Sequence, residues 1–494
     1  MFKTITNIFR IPELRNKILF TLALLCIYRI GFFIPLPGVN THTLSGALNN
    51  SSSSPLGAIS SYLSLFSGGY LGKSTIFGLG IMPYISAAII FQLLGTVVPS
   101  LEKLQKEGEP GQRKINEWTR YATVALCVIQ SGMWLTYLTR TSQTYPHGML
   151  YKSMYNHHLF LFWIMGIAAM TAGSVFLMWL GEQIDEFGIG NGVSLIIMAG
   201  IVSLMPNAIM SVYRETSLRV TASPKYRYGI GTLLFLVAAF VFVVAGSIIL
   251  TQATRRITIQ HAKHIRGRRV YGGQSQYLPL RINHGGVMPI IFASSLMLFP
   301  TIILGYVSNW HWLAGLDVFR IFQSGMNPGA YLYEVVFVGM IFFFSYFWNT
   351  VQFQPKDMAD QLRDYGSFIE NIRPGKRTAE YLEAVMNRIT YVGAAFLAVI
   401  AVVPTLVAFN MHISFLVTQF LGGTGLLIII QVMLDVINRI EANLVMRDYD
   451  GLLDTHVTPR NKKRVRIAGP NQRPEPPPPK GRLGQRAKAP GNMA

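Results

Sequence analysis

The chain has 494 residues, of which 51% are hydrophobic and only 13% charged, against roughly 25% charged in an average soluble protein. A mean hydropathy of +0.35, with apolar runs long enough for about 30 Å of hydrocarbon, excludes an ordinary soluble domain and indicates a multi-span membrane protein. The two cysteines, Cys26 and Cys127, both lie in apolar runs and support neither a disulfide framework nor a metal site, so the net charge of +20 is informative only by its placement.

The apolar runs do not alternate as barrel strands do, and a helix satisfies its own backbone in lipid, so the spans are predicted helical. Residues 1–17 form a basic N-terminus. The first span is 18–36; its apolar run continues into IGFFIPLPG without a small-residue cleavage site, which argues against a signal peptide. A polar loop, 37–60, contains NNSSSSP, and a short glycine-rich stretch, 61–73, leads into the second span, 74–98. Further spans are expected at 121–138, 159–180 and 193–213, the last broken near its end by Pro206. After an external loop, 214–227, five more follow at 228–250, 286–307, 332–351, 390–409 and 415–434. The loops 251–285 and 352–389 are long and basic. The tail, 435–494, turns basic and proline-rich, and beyond about 451 it has too little apolar content to bury a core.

An even number of spans puts both ends on one side. That side carries four Lys and Arg in 1–17, five between spans two and three, seven in 251–285, six in 352–389 and twelve from Arg439 onward, 34 of the 43 present. The positive-inside rule therefore makes both termini cytoplasmic. The acidic cytoplasmic loop GEQIDEFGIGNG and the basic external loop after span five run against this trend without outweighing it.

Several short motifs carry little. GGYLGKST at 68–75 misses the phosphate-binding loop, because Ser67 stands where its first glycine belongs and no strand precedes it. His157, His158, His261 and His264 lack a partner cluster of metal ligands and read as solvated loop residues. Neither paired catalytic carboxylates nor a Ser/Lys or Ser/His arrangement is evident within the spans, so an enzyme is not expected. The centres of spans two, three, four, seven and nine lack Asp, Glu, Lys and Arg, which argues against a solute transporter with inverted repeats, the main rival reading. Arg29 and Asp435 lie near span ends, where snorkelling or a local pair would serve them.

The second span is the most informative. Its entry is rich in glycine, Pro83 falls in its first turns and suggests a kink, Ile81 and Ile85 share a helical face, and Ser86 and Gln92 interrupt an otherwise apolar surface. Branched residues recur near glycines elsewhere, as Val193 and Ile197 in NGVSLIIMAG, Ile291 in GGVMPIIFASS and Ile428 in GGTGLLIIII. Taken singly, each is adequately explained by packing or lipid contact.

The words GIMPYIS, KEGEPGQRKINEWTRYAT, MWLGEQIDEFGIGNGVS, GRRVYGGQSQYLPLRIN, MPIIFASS, NIRPGKRTAEYL and GGTGLLI occur in collinear order between about residues 11 and 450. Together they closely resemble the bacterial-type SecY family, channel subunits of the general protein-translocation complex. The resemblance implies an all-α polytopic membrane protein with ten transmembrane helices in two inverted-repeat halves around an hourglass pore, and no cofactor. By motif, the pore ring falls on Ile81, Ile85, Val193, Ile197, Ile291 and Ile428, and a plug on about 61–71. The lateral gate, between spans two and three on one side and seven and eight on the other, takes in Ser86, Gln92 and Phe299. Arg268, Arg269 and Arg373 match positions used for docking the ribosome and the SecA motor. Other implied partners are SecE- and SecG-like small membrane subunits, signal-bearing preproteins and the bilayer, and the implied location is the bacterial plasma membrane. The tail and the first external loop are longer than the family pattern.

Overall fold

The structure is a computed structural model that describes residues 11–41, 44, 74–142, 150, 158–216, 229–261, 264–266, 269–271, 275–283, 285–286, 288–307, 322, 325–326, 330–411, 413, 417–418 and 423–455. Twelve helices and five strands are found among these residues. In chain order they are α1 (Pro12–Gly31), α2 (Met82–Val97), α3 (Pro99–Lys106), α4 (Glu109–Ser142), α5 (Leu159–Phe187), α6 (Gly192–Glu215), α7 (Ile230–Gln252), β1 (Thr254–His261), β2 (His264–Arg266), β3 (Arg269–Tyr271), β4 (Ser275–Arg281), α8 (Met288–Val307), α9 (Tyr331–Gln352), α10 (Pro355–Asp364), β5 (Ser367–Ile369), α11 (Lys376–Asn410) and α12 (Thr424–Thr455). The chain divides into two units, 1–440 and 441–494, and of the second only the last turns of α12 are described.

Five described stretches are long and apolar enough to cross a membrane: α5, α6 up to Arg214, α7, Tyr331–Asp364 and Lys376–Val407. The pair α2–α3, bent by 104° between Met82–Val97 and Pro99–Gln105, would make a sixth. The bend has a local cause. Val98 is extended (φ −97°, ψ 113°) and precedes Pro99, which disfavours helix at the residue before it and then starts α3 as a first-turn proline.

Contacts sort the helices into two groups. In the first, α5 packs on α1, α4 and α6, and α2 packs on α4. In the second, α9 packs on α8 and α11, and α7 packs on α11. The main helix contact between the groups is α2 against α8.

Two proline readings are corrected here. Pro83 lies in the first turn of α2, where its missing N–H is not needed, so it starts the helix and does not kink it. Pro206 does not break α6, which continues to Glu215. The all-α expectation also needs an addition, since the two long basic loops contain strands. Strands β4, β1 and β5 form an antiparallel sheet in that order, and β2 and β3 form a hairpin. β5 belongs to the second loop, so the sheet ties the loops together. Ile257, Leu280 and Ile369 from the sheet share a buried cluster with Leu382, Val385, Met386 and Ile389 of α11.

Candidate functional site

The branched residues singled out by sequence sit near helix starts. Ile81 is the N-cap residue of α2, and its carbonyl accepts from the Ile85 N–H at 3.2 Å. Ahead of it, Gly80 has φ +62°, a conformation that side-chain-bearing residues avoid. Ile291 lies in the first turn of α8, where its carbonyl accepts from the hydroxyls of Ser294 and Ser295 at 2.9 and 2.7 Å. These bonds absorb two polar groups that would otherwise be exposed to an apolar interior. Ile428 lies in the second turn of α12.

Val193 and Ile197 are placed by a turn with several side-chain bonds. The Gly192 N–H donates to the Asp185 carboxylate at 2.7 Å, and the Ser194 N–H donates to the Asn191 side chain at 3.0 Å. Two of the N–H groups left open at a helix start are thereby satisfied. The Ile189 N–H donates to the Thr21 hydroxyl at 3.2 Å, which anchors the turn to α1. Gly192 lies so close to the backbone of Gly181 that a side chain there would collide with it. Arg120 of α4 pairs with Glu182 of α5 at 2.9 Å. The acidic loop that ran against the charge trend is thus a helix–helix turn whose Glu182 and Asp185 have local partners.

Ile81, Ile85, Ile197, Ile291 and Ile428 all belong to one buried hydrophobic cluster drawn from both helix groups, with Val193 packed against it. Ile81 is 2% exposed and Ile428 0%, values that separate them from exposed residues on the spans such as Leu234 at 70%. Among the gate residues, Ser86 is buried on α2 and Gln92 is half-buried. Phe299 belongs to α8, but its side chain is outside the described set. Residues 61–71 and Arg268 lie outside the described residues. Arg269 begins β3, opposite Arg266. Arg373 is exposed in the turn after β5, and its carbonyl accepts from the Thr378 hydroxyl at 2.9 Å.

Other residues acquire roles that sequence did not assign. Ser74, in the glycine-rich GKST, is fully buried with φ +46° and accepts from the Trp134 indole at 3.0 Å, so it is a packing contact of the α2 entry. Asp435 has the local pair expected of it, with Arg439 one turn on at 3.0 Å, and Arg29 stacks over Phe33 at 5.3 Å. His261 is corrected: it is not a solvated loop residue but bonds within the sheet to Ser367 and Gln276. Glu334, in the first turn of α9, is 5% exposed, and sequence reasoning passed over it because the run around it remains strongly apolar.

The fold and its apolar helices define a polytopic helical membrane protein. Comparison with solved structures gives the same fold. The chain resembles one described as a protein conducting channel, with a TM-score of 0.56 and 17% identity, covering 87% of this chain and 93% of that one. It also resembles Sec61 in the canine ribosome-channel complex from the endoplasmic reticulum, with a TM-score of 0.52 and 16% identity, covering 87% and 93%. The SecY family model matches residues 75–437. The protein translocase subunit SecY of Chlamydia muridarum is 39% identical over 459 residues, 91% of this chain and 98% of that one. That of Escherichia coli K12 is 38% identical over 448 residues, 89% and 94% respectively. The chain belongs to the SecY family.

Proposed function

We propose that this chain is the central pore-forming subunit of a Sec translocon, passing unfolded preproteins across a membrane and releasing apolar segments sideways into the bilayer. The observation that supports the reading is that branched residues of α2, α6, α8 and α12 are all buried in, or packed against, one large apolar cluster. In this reading, ten helices in two inverted-repeat halves enclose an hourglass pore, and Ile81, Ile85, Val193, Ile197, Ile291 and Ile428 form its ring. Branched alkyl groups offer no hydrogen bonds, so the ring seals by dewetting and grips no particular sequence. Residues 61–71 serve as the plug on the external side.

The lateral gate opens between α2 and α8, beside Ser86, Gln92 and Phe299. Through it a segment compares pore with lipid. Leu or Ile at a helix centre favours lipid by about 0.3–0.6 kcal/mol, whereas Asp or Lys opposes it by about 2.5–3.5 kcal/mol. Sorting by partition follows without recognition of sequence.

The basic loops face the cytoplasm, as do both termini, in the plasma membrane of a bacterium. Arg268, Arg269 and Arg373 dock the ribosome through rRNA phosphates, or the SecA motor. SecE- and SecG-like small subunits complete the complex, and the chain itself performs no catalysis. Energy comes from the docked partner. The test is reconstitution with a SecE-like subunit and SecA, followed by import of a signal-bearing preprotein. ATP-dependent import is expected; selective uptake of a small solute with no import would overturn the reading in favour of a transporter.

A further inference from the structure

The sheet joins two loops that are about a hundred residues apart in sequence, and the join is slender. β5 has only three residues, flanked by Gly366 at φ +63° and Asn371 at φ +63°, and pairs with β1 through Ile259↔Ile369, Gln260↔Phe368 and His261↔Ser367. So short a strand holds few backbone bonds. His261 adds side-chain bonds to both of its neighbours. Its Nδ1 lies 2.7 Å from the Ser367 hydroxyl, directly across in β5, and its Nε2 lies 3.2 Å from the Gln276 amide oxygen in β4. An amide oxygen only accepts, so Nε2 donates to Gln276, and Nδ1 shares its bond with the Ser367 hydroxyl. Ser367 is buried, which leaves its hydroxyl dependent on this partner. Downstream of β5, the exposed Arg373 sits in the turn that ends at Gly375, while Arg255 and Arg256 are exposed on β1.

We infer that His261 is a positioning residue for docking: it fixes the Arg373 turn against β1, so that the two basic loops meet the phosphates of ribosomal RNA as one surface. This rests on the docking role proposed above. Counterion release from a polyanion rewards several cations held at fixed spacing, and a turn that wandered relative to β1 would forfeit part of it.

The experiment titrates empty ribosomes against the full chain, reconstituted with its small membrane subunits in nanodiscs. Arg373→Glu tests the surface itself and should weaken binding about tenfold or more. Ser367→Ala and His261→Phe, which keeps ring shape without either bond, should each weaken it by about two- to tenfold. The double variant should be no weaker than the singles, and His261→Phe should cost nothing further in the Arg373→Glu background. His261→Asn, which keeps a polar atom near the Nδ1 position, should restore binding; a purely packing role would not be rescued this way. Wild-type affinity in Ser367→Ala and His261→Phe, with Arg373→Glu impaired, overturns the role of His261 and leaves the docking surface standing. Wild-type affinity in Arg373→Glu overturns both.

Discussion

The apolar cluster and the basic sheet are built on opposite terms. The cluster gathers side chains from helices spread along the chain, between Leu24 and Val432, and packs them by shape, with polar neighbours such as Ser294 and Ser295 turned back onto the Ile291 carbonyl. The sheet depends on register and named bonds, where one histidine serves two strands. Shape without polar bonds tolerates exchange among branched residues, and Val193 packs against the same cluster as the isoleucines. A bonded register does not tolerate exchange so readily. The region proposed to accept any polypeptide therefore carries no hydrogen-bonding preference, and the region proposed to meet particular partners carries charge held at fixed spacing.

The largest expected effect comes from breaking the first term of this contrast. Ile428 is fully buried, so Ile428→Asn both removes packing and places an amide among alkyl groups. Together these destabilise the closed arrangement by about 2–5 kcal/mol. Conductance of reconstituted vesicles and acceptance of preproteins with defective signals should both rise. Unchanged leak and unchanged stringency would count against the ring.

Gly192→Ala acts on the same region indirectly. The new methyl meets the Gly181 backbone, which cannot rotate away as a side chain can. Overpacking of this kind costs about 1–3 kcal/mol and should push the α6 start, with Val193 and Ile197, away from α5. A lowered thermal midpoint together with a raised leak is expected. A lowered midpoint with wild-type leak would separate the helix packing from the seal.

The other side of the contrast is sharpened by salt. Arg373 is exposed, so Arg373→Glu should leave the fold intact. Ribosome affinity should fall and depend less steeply on salt than in the wild type, since each lost phosphate contact lowers the slope by about one. Affinity measured at two salt concentrations gives both quantities.

These two regions also differ in how legible they are from sequence. The apolar runs announce helices locally, and glycines beside GIMPYIS, NGVSL, GGVMPII and GGTGLLI mark where helices begin. The chemistry of each branched residue is visible in its own segment. The sheet is not. TRRITIQH reads as a strand only with its partners in hand, and one partner, Ser367–Ile369, is three residues long and lies beyond three more of the described helices. Nothing local reports such a pairing. Proline shows the same limit on a smaller scale, since Pro83 and Pro206 mean a helix start and a tolerated interior position according to where the neighbouring hydrogen bonds lie.

The smallest expected effect bears on the rival reading as a transporter. Glu334 is the buried acid of α9, and a proton- or ion-coupled transporter places its coupling site on such a group. In a channel that sorts by partition, the same side chain has no ion to carry. A neutral amide of equal size fills the same buried site without a group that could carry a proton. Glu334→Gln should therefore leave preprotein import at the wild-type rate and thermal stability equal or higher. A mutant that kept its stability but lost import, with the loss tracking the proton gradient across the vesicle, would make Glu334 a coupling group. The apolar cluster would then be the wall of a transport path with an acid at its end, and the contrast between a sequence-blind pore and a partner-specific sheet would no longer hold.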